Sequence, residues 1–216
     1  PVYRVRLAEA HVVPDISDRL YRPFSEGEAR PEPAPFNDPE LSRQWHYNND
    51  GSIEGSVAGA DINLFKAWRE IVAGRPEVVV AVIDGGIQYD HPDLAANMWT
   101  NEAEMNGTPG VDDDGNGYVD DIYGWNYYTD SGTITQHFHG THVAGTVAAV
   151  NNNGIGVCGV AGGTGVGDGV RLMSCQNYDT DANGQEVGSV TEESFIYAAD
   201  NGGGSAQCSR GYNGVE

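Results

Sequence analysis

The chain has 216 residues, and its 11 Lys+Arg set against 32 Asp+Glu give a formal net charge of −21. Such acidity excludes a nucleic-acid or anionic-membrane partner, because both require clustered Lys and Arg. With 39% hydrophobic residues and no apolar run approaching the ~18 that a membrane span needs, the composition is that of a folded domain.

Residues 1–37 begin with a short alternation of Val2, Tyr3, Val5 and Leu7. Pro14, Pro23, Pro31, Pro33 and Pro35 then interrupt any regular element. This segment reads as a linker or the end of a propeptide, ahead of a domain over 38–216. From Asp61 to Val72, Leu64, Phe65, Trp68, Ile71 and Val72 share one helical face, and Gly74 and Pro76 close the predicted helix. The run 78–83 (VVVAVI) is continuously β-branched or small and apolar, as expected of a parallel strand buried on both faces, and it ends in Asp84-Gly85-Gly86. A helix of small residues is predicted over 139–150 and a second strand over 170–175. A helix follows with Glu192 and Glu193 in its first turn, and then a weak strand over 204–209. The alternation of strand and helix predicts an α/β fold with a parallel sheet. Cys158, Cys175 and Cys208 allow at most one disulfide, and their apolar or small-residue surroundings predict buried free thiols.

In open parallel sheets, ligands sit beyond the carboxyl ends of the strands. Asp84 occupies that position, and a carboxylate there is costly unless a partner holds it. His139 opens the block His139-Gly140-Thr141-His142-Val143-Ala144-Gly145-Thr146 at the amino end of a helix. A general base needs a ring near neutral pKa, oriented by a carboxylate. Asp followed downstream by His is the chain order of one convergent Asp–His–Ser triad.

At these residues the chain resembles the subtilisin-like serine proteases, or subtilases. Matching segments are Val82-Ile83-Asp84-Gly85-Gly86-Ile87, His91-Pro92-Asp93-Leu94, the block from His139 to Thr146, and the run from Asn151 to Ala161. The resemblance covers about residues 40–212. It implies a subtilisin-like, three-layer α/β/α fold, present here as a partial parallel sheet that stops before the nucleophile-bearing part. Asp84 would orient the imidazole, and His139 would act as general base and then general acid. His142 would lie one turn back from the cleft in a structural role. Ser209 and Gly211 would pair with the substrate backbone, although Arg210 replaces a usually apolar residue. The resemblance also implies a protein or peptide substrate and a secreted or cell-surface location.

The family's Gly-Thr-Ser block followed by Pro is not found in these residues, and neither is the Asn that donates to the oxyanion. The 216 residues are therefore expected to be inactive alone, and to need the missing carboxyl-terminal part of the same domain to cover their apolar sheet edge. The alternative is a truncated, non-catalytic pseudoprotease or calcium-binding interaction module. A metal-dependent hydrolase using His137, His139 and His142 is a weaker reading, because no Glu stands between His139 and His142.

Calcium enters from the acidic run 111–121. Asp112, Asp114, Asn116 and Gly117 follow the first half of a calcium-loop pattern, and Asp120 and Asp121 add carboxylates. Position twelve is Tyr123 rather than Glu, so the loop is not a complete EF-hand. No Lys or Arg occurs between Arg75 and Arg171 to compensate these charges, which calls for a hard divalent cation. The resemblance implies a second calcium site. There Asp93 and Asn152 would bind through side chains, Val150, Ile155 and Val157 through carbonyls, and Gln44 would close the site.

Overall fold

The sheet is built around β1 (Val79–Asp84), and its register explains why that segment is apolar up to Asp84. In the computed structural model, which describes residues 33–188 and 191–209, β1 is flanked on both sides by parallel partners. It pairs with β3 (Arg171–Gln176), placing Ile83 opposite Cys175 and Asp84 opposite Gln176. On its other side it pairs with β6 (Gly203–Gln207). The short β2 (Gly124–Asn126) extends the sheet beyond β3, so the spatial order is β2-β3-β1-β6.

Side chains alternate across the pleat. Val82 and Leu172 join Ile87, Leu94, Ala144 and Ala148 in one core layer, against helix α3 (Phe138–Ala148). Ala81, Ile83, Met173 and Cys175 face the other way, against Trp125 and against Tyr197 and Ala198 of helix α4 (Glu192–Asp200). Helices therefore cover both faces of β1 and β3, as the α/β/α expectation requires. Helix α1 (Leu64–Glu70) packs Leu64, Phe65 and Trp68 into a third cluster with Leu41, Tyr47 and Cys158. Phe36, inside the stretch read as linker, is tilted against Trp68 with ring centroids 4.9 Å apart. The rest of the 1–37 reading lies outside the described residues except for positions 33–37.

Three details correct the sequence-based expectations. Helix α1 ends at Glu70, so Ile71 and Val72 do not share its buried face and are exposed. The chain turns there through Gly74 (φ +139), where a Cβ would collide with the backbone of Ala161, and this turn delivers Ala73 to the core instead. Cys208 is exposed rather than buried, because it follows the last residue of the edge strand β6; Cys158 and Cys175 are buried free thiols as expected. Sequence reading also missed β2 and the antiparallel hairpin β4 (Tyr178–Thr180) and β5 (Glu186–Gly188). A three-residue strand such as β2 is too short to carry a periodic signal. The hairpin did leave one in the turn residues Asn183-Gly184, with Gly184 at φ +78. A four-residue helix, α2 (Glu102–Met105), precedes the acidic loop, with Asn101 as its cap.

Candidate active site

Asp84 is the last residue of β1 and is fully buried. His139 lies in the first turn of α3, where His137 is the cap and accepts the backbone N–H of His139 at Nδ1 (3.3 Å). The helix is drawn onto the loop after β1 by the absence of side chains. A Cβ on Gly140 would strike the Gly86 carbonyl, and one on Gly86 (φ +97) would strike that of Thr135. Thr141 fastens the same junction by accepting the N–H of Gln88 and donating to the His137 carbonyl.

The result is a direct pairing of the two predicted residues. His139 Nδ1 lies 2.8 Å from Asp84 Oδ1 and 2.9 Å from Oδ2. Paired with a carboxylate, Nδ1 carries the proton, which leaves the Nε2 lone pair available as a base. Burial differs sharply across the pair: the Asp84 side chain is 0% exposed and the His139 side chain 39%. A buried orienting carboxylate and a ring open to solvent are what a general base requires. Asp84 is further held by the Gly85 N–H (2.7 Å) and by the Tyr178 hydroxyl (2.7 Å), a partner that sequence reasoning missed.

His142 is exposed and lines a cavity of ≈ 390 Å³ with Gln44, His46, His91 and Asp93. His137 uses Nε2 on the Thr180 hydroxyl (2.9 Å), so His137, His139 and His142 do not form a metal-binding group among the described residues. Ser209 accepts a hydrogen bond from Gln207 just past β6, and Gly211 lies outside the described residues.

In the acidic loop, Asp112 and Asp114 converge with a residue not predicted, Glu104. Their ligand oxygens lie within 4.8 Å of one another. Glu104 is buried on α2, and it accepts the N–H groups of Asp113, Asp114 and Asp120. The signal was available in a third Glu or Asp on a helix just ahead of the loop. Asn116 bridges Asp114 and Asp121 through its amide, while Asp120 turns to the Gly110 N–H. Asp121 is fully buried among donors from Asn101, Asn116 and Tyr197, and burial pushes its carboxyl up from the usual range despite them. Asp112 is drawn down by the N–H groups of Gly117, Gly115 and Asn116. Three clustered carboxylates in a segment without Lys or Arg, one of them buried, fit a hard, oxygen-seeking cation.

At the second predicted site, buried Asp93 accepts the Asn153 amide (2.8 Å) and the Val157 N–H (3.0 Å). The Val150 N–H is bonded to the Asp93 carbonyl, and the Ile155 N–H to the Asn153 side chain. The Asn152 amide donates to the Thr164 carbonyl. Gln44 spans the backbone of Cys158, donating to its carbonyl and accepting its N–H (both 2.8 Å). Asp38, also unpredicted, is buried here and accepts the N–H groups of Asn152 and Asn153. Burial raises the Asp93 carboxyl, with Asp38 adding its charge. Asp38 and Asp93 thus bring two buried carboxylates into the same region, each engaged by N–H donors.

Residues 75–202 match the model of the subtilase family of peptidases, well over half of the chain. The chain belongs to the subtilase family. Its similarity to curated subtilases is local. It is 52% identical over 128 residues to subtilisin-like protease 1 of Plasmodium berghei, covering 58% of this chain and 19% of that one. It is 40% identical over 147 residues to the Plasmodium vivax protein of the same name, covering 67% of this chain and 20% of its relative. The extracellular basic protease of Dichelobacter nodosus is 37% identical over 186 residues, with 80% and 29% covered. Among solved structures, the serine protease of Aeromonas sobria aligns with a TM-score of 0.49 at 25% identity, over 85% of this chain and 27% of that chain. The chain thus spans about a fifth of the length of the Plasmodium subtilases it matches. No helix among the described residues is long and apolar enough to cross a membrane.

Proposed function

We propose that these residues are the amino-terminal part of the catalytic domain of a calcium-stabilised subtilisin-like serine endopeptidase, with its nucleophilic Ser lying outside residues 1–216. One observation carries this reading: the buried Asp84 carboxylate engages His139 Nδ1 at 2.8 and 2.9 Å while the ring stays open to solvent. In the complete enzyme, His139 Nε2 takes the proton of the serine hydroxyl as it attacks the scissile carbonyl. It then gives that proton to the leaving amine, and Asp84 stabilises the imidazolium formed in between. Ser209 and Gly211 pair with the substrate backbone. The substrate is a protein or peptide, and the enzyme acts outside the cell or at its surface, a reading supported by its similarity to the extracellular basic protease of Dichelobacter nodosus.

Calcium is proposed at both acidic sites. Glu104, Asp112 and Asp114 hold it in the first, with Asn116, Asp120 and Asp121 as the remaining candidates. Asp93, Asn152, Gln44 and the carbonyls of Val150, Ile155 and Val157 hold it in the second. The ion supplies charge neutralisation to buried carboxylates, and so stability. Residues 1–37 are the end of a propeptide or a linker, which amino-terminal sequencing of the mature protein tests.

The test of the activity uses the full-length protein and a peptide substrate. Asp84→Asn is expected to lower kcat by about 10⁴ and His139→Ala by about 10⁶. A serine-directed fluorophosphonate is expected to label full-length protein but not a polypeptide of residues 1–216. Full activity in either variant, or labelling of the short polypeptide, sinks the reading.

A further inference from the structure

The hydroxyl on Asp84 comes from a residue 94 positions away, in the hairpin strand that follows β3. Tyr178 is 2% exposed, and its hydroxyl lies 2.7 Å from Asp84 Oδ1 and 3.2 Å from His139 Nδ1, touching both members of the pair. A phenol has one proton to give, and the carboxylate is the acceptor that can only accept, so Tyr178 donates to Asp84. The next side chain to reach the site, Thr180, bonds His137 Nε2 at 2.9 Å. His137 in turn accepts the His139 N–H and packs edge-on against the Tyr178 ring, with centroids 5.3 Å apart.

Gly85 supplies an independent observation. A Cβ there would lie 2.7 Å from the His137 ring and 2.9 Å from Tyr178 Cε2. The two rings occupy the space that any other residue after Asp84 would fill. The hairpin is itself anchored at the site: the Asn177 N–H bonds the Asp84 carbonyl at 2.8 Å. Behind Tyr178, a Cβ on Gly188 of β5 would lie 2.7 Å from Tyr178 Cα, so the two strands close tightly.

We propose that β4 is a positioning element for the Asp84–His139 pair, acting through the Tyr178 hydroxyl on Asp84 and the Thr180 hydroxyl on His137. Neither residue reacts. Tyr178 fixes the rotation of a fully buried carboxylate, so that its oxygens face Nδ1. Thr180 fixes the ring that caps the helix presenting His139. This rests on the serine-protease reading, since it is the pair's use as acid and base that gives its orientation consequence.

The experiment compares full-length protein with its Tyr178→Phe and Thr180→Val variants. Tyr178→Phe keeps the packed ring and deletes the hydroxyl; Thr180 is exposed, so Thr180→Val leaves the core untouched. For Tyr178→Phe, kcat is expected to fall roughly tenfold with KM unchanged, the rate equivalent of one hydrogen bond to a charged group. The downfield NMR resonance of the His139 Nδ1 proton, assigned by its loss in His139→Ala, should also move. Thr180→Val is expected to lower kcat a few-fold by the same route. If the parent is active and labelled by a fluorophosphonate, but both variants match it in kcat and proton resonance, only the role of β4 is overturned. A parent with neither activity nor labelling overturns the protease reading and this role together.

Discussion

The Tyr197 hydroxyl donates to Asp121 Oδ2 at 2.7 Å, tying helix α4 to the acidic loop. Both residues are fully buried, and Tyr197 belongs to the core layer containing Ile83, Trp125 and Met173. The loop is therefore anchored to the face of the sheet opposite the one on which Asp84 meets His139, and its charge is not simply hydrated surface. Tyr197→Phe leaves Asp121 with one donor fewer in a buried place. A loss of about 1–3 kcal/mol is expected, read as a melting temperature lower by several degrees. An unchanged melting temperature would show that the contact contributes nothing.

Chelation tests the cation sites. Adding EGTA is expected to lower the melting temperature, by the equivalent of about 2.7 kcal/mol if the free ion stood at a hundred times its Kd. Glu104→Gln removes one of the three converging carboxylates and should shrink the calcium-dependent increment while leaving a shift from the Asp93 site. If Glu104→Gln responds to calcium as the parent does, Glu104 is not a ligand.

Glycine at position 85 is tested by its smallest replacement. Gly85→Ala forces a methyl against the rings of His137 and Tyr178, and is expected to cost about 1–3 kcal/mol and to reduce activity of the full-length enzyme. Gly145→Ala, in helix α3, meets nothing within 4 Å and serves as the control. It should be neutral or stabilising by up to about 1 kcal/mol from helix propensity. Equal stability of the two variants would contradict the packing described for Gly85.

The thiols separate by environment. Burial pushes the Cys175 thiol up to about 12, and burial with the neighbouring Asp38 carboxylate pushes Cys158 up as well. At pH 8 both should therefore remain protonated and unreactive to iodoacetamide in the native protein, while the exposed Cys208 reacts. Peptide mass spectrometry after native alkylation reads this directly, and modification of Cys158 or Cys175 would refute it.

Much of the site was legible in local sequence, for a physical reason. A strand buried on both faces must be apolar at every position, so the run 78–83 announced itself, and the carboxylate that ends it stood out as an unexplained cost. The glycines around His139 could be read as a helix of small residues packed closely on a sheet, and the density of carboxylates in 111–121 as a demand for a counter-charge. These are properties of neighbouring residues and need no fold to be seen: an α/β sheet, an Asp and a His in triad order, and an acidic loop. Tertiary structure alone decided which distant groups complete each cluster. Tyr178 reaches Asp84 across 94 residues, and Asp38 reaches Asn152 across 114. Glu104 closes on Asp112 and Asp114 only because the loop folds back on α2. No periodicity records such meetings. They depend on where the crossover from β1 to β3 sets the next strand, and on the side-chain space left empty at Gly85, Gly86 and Gly140.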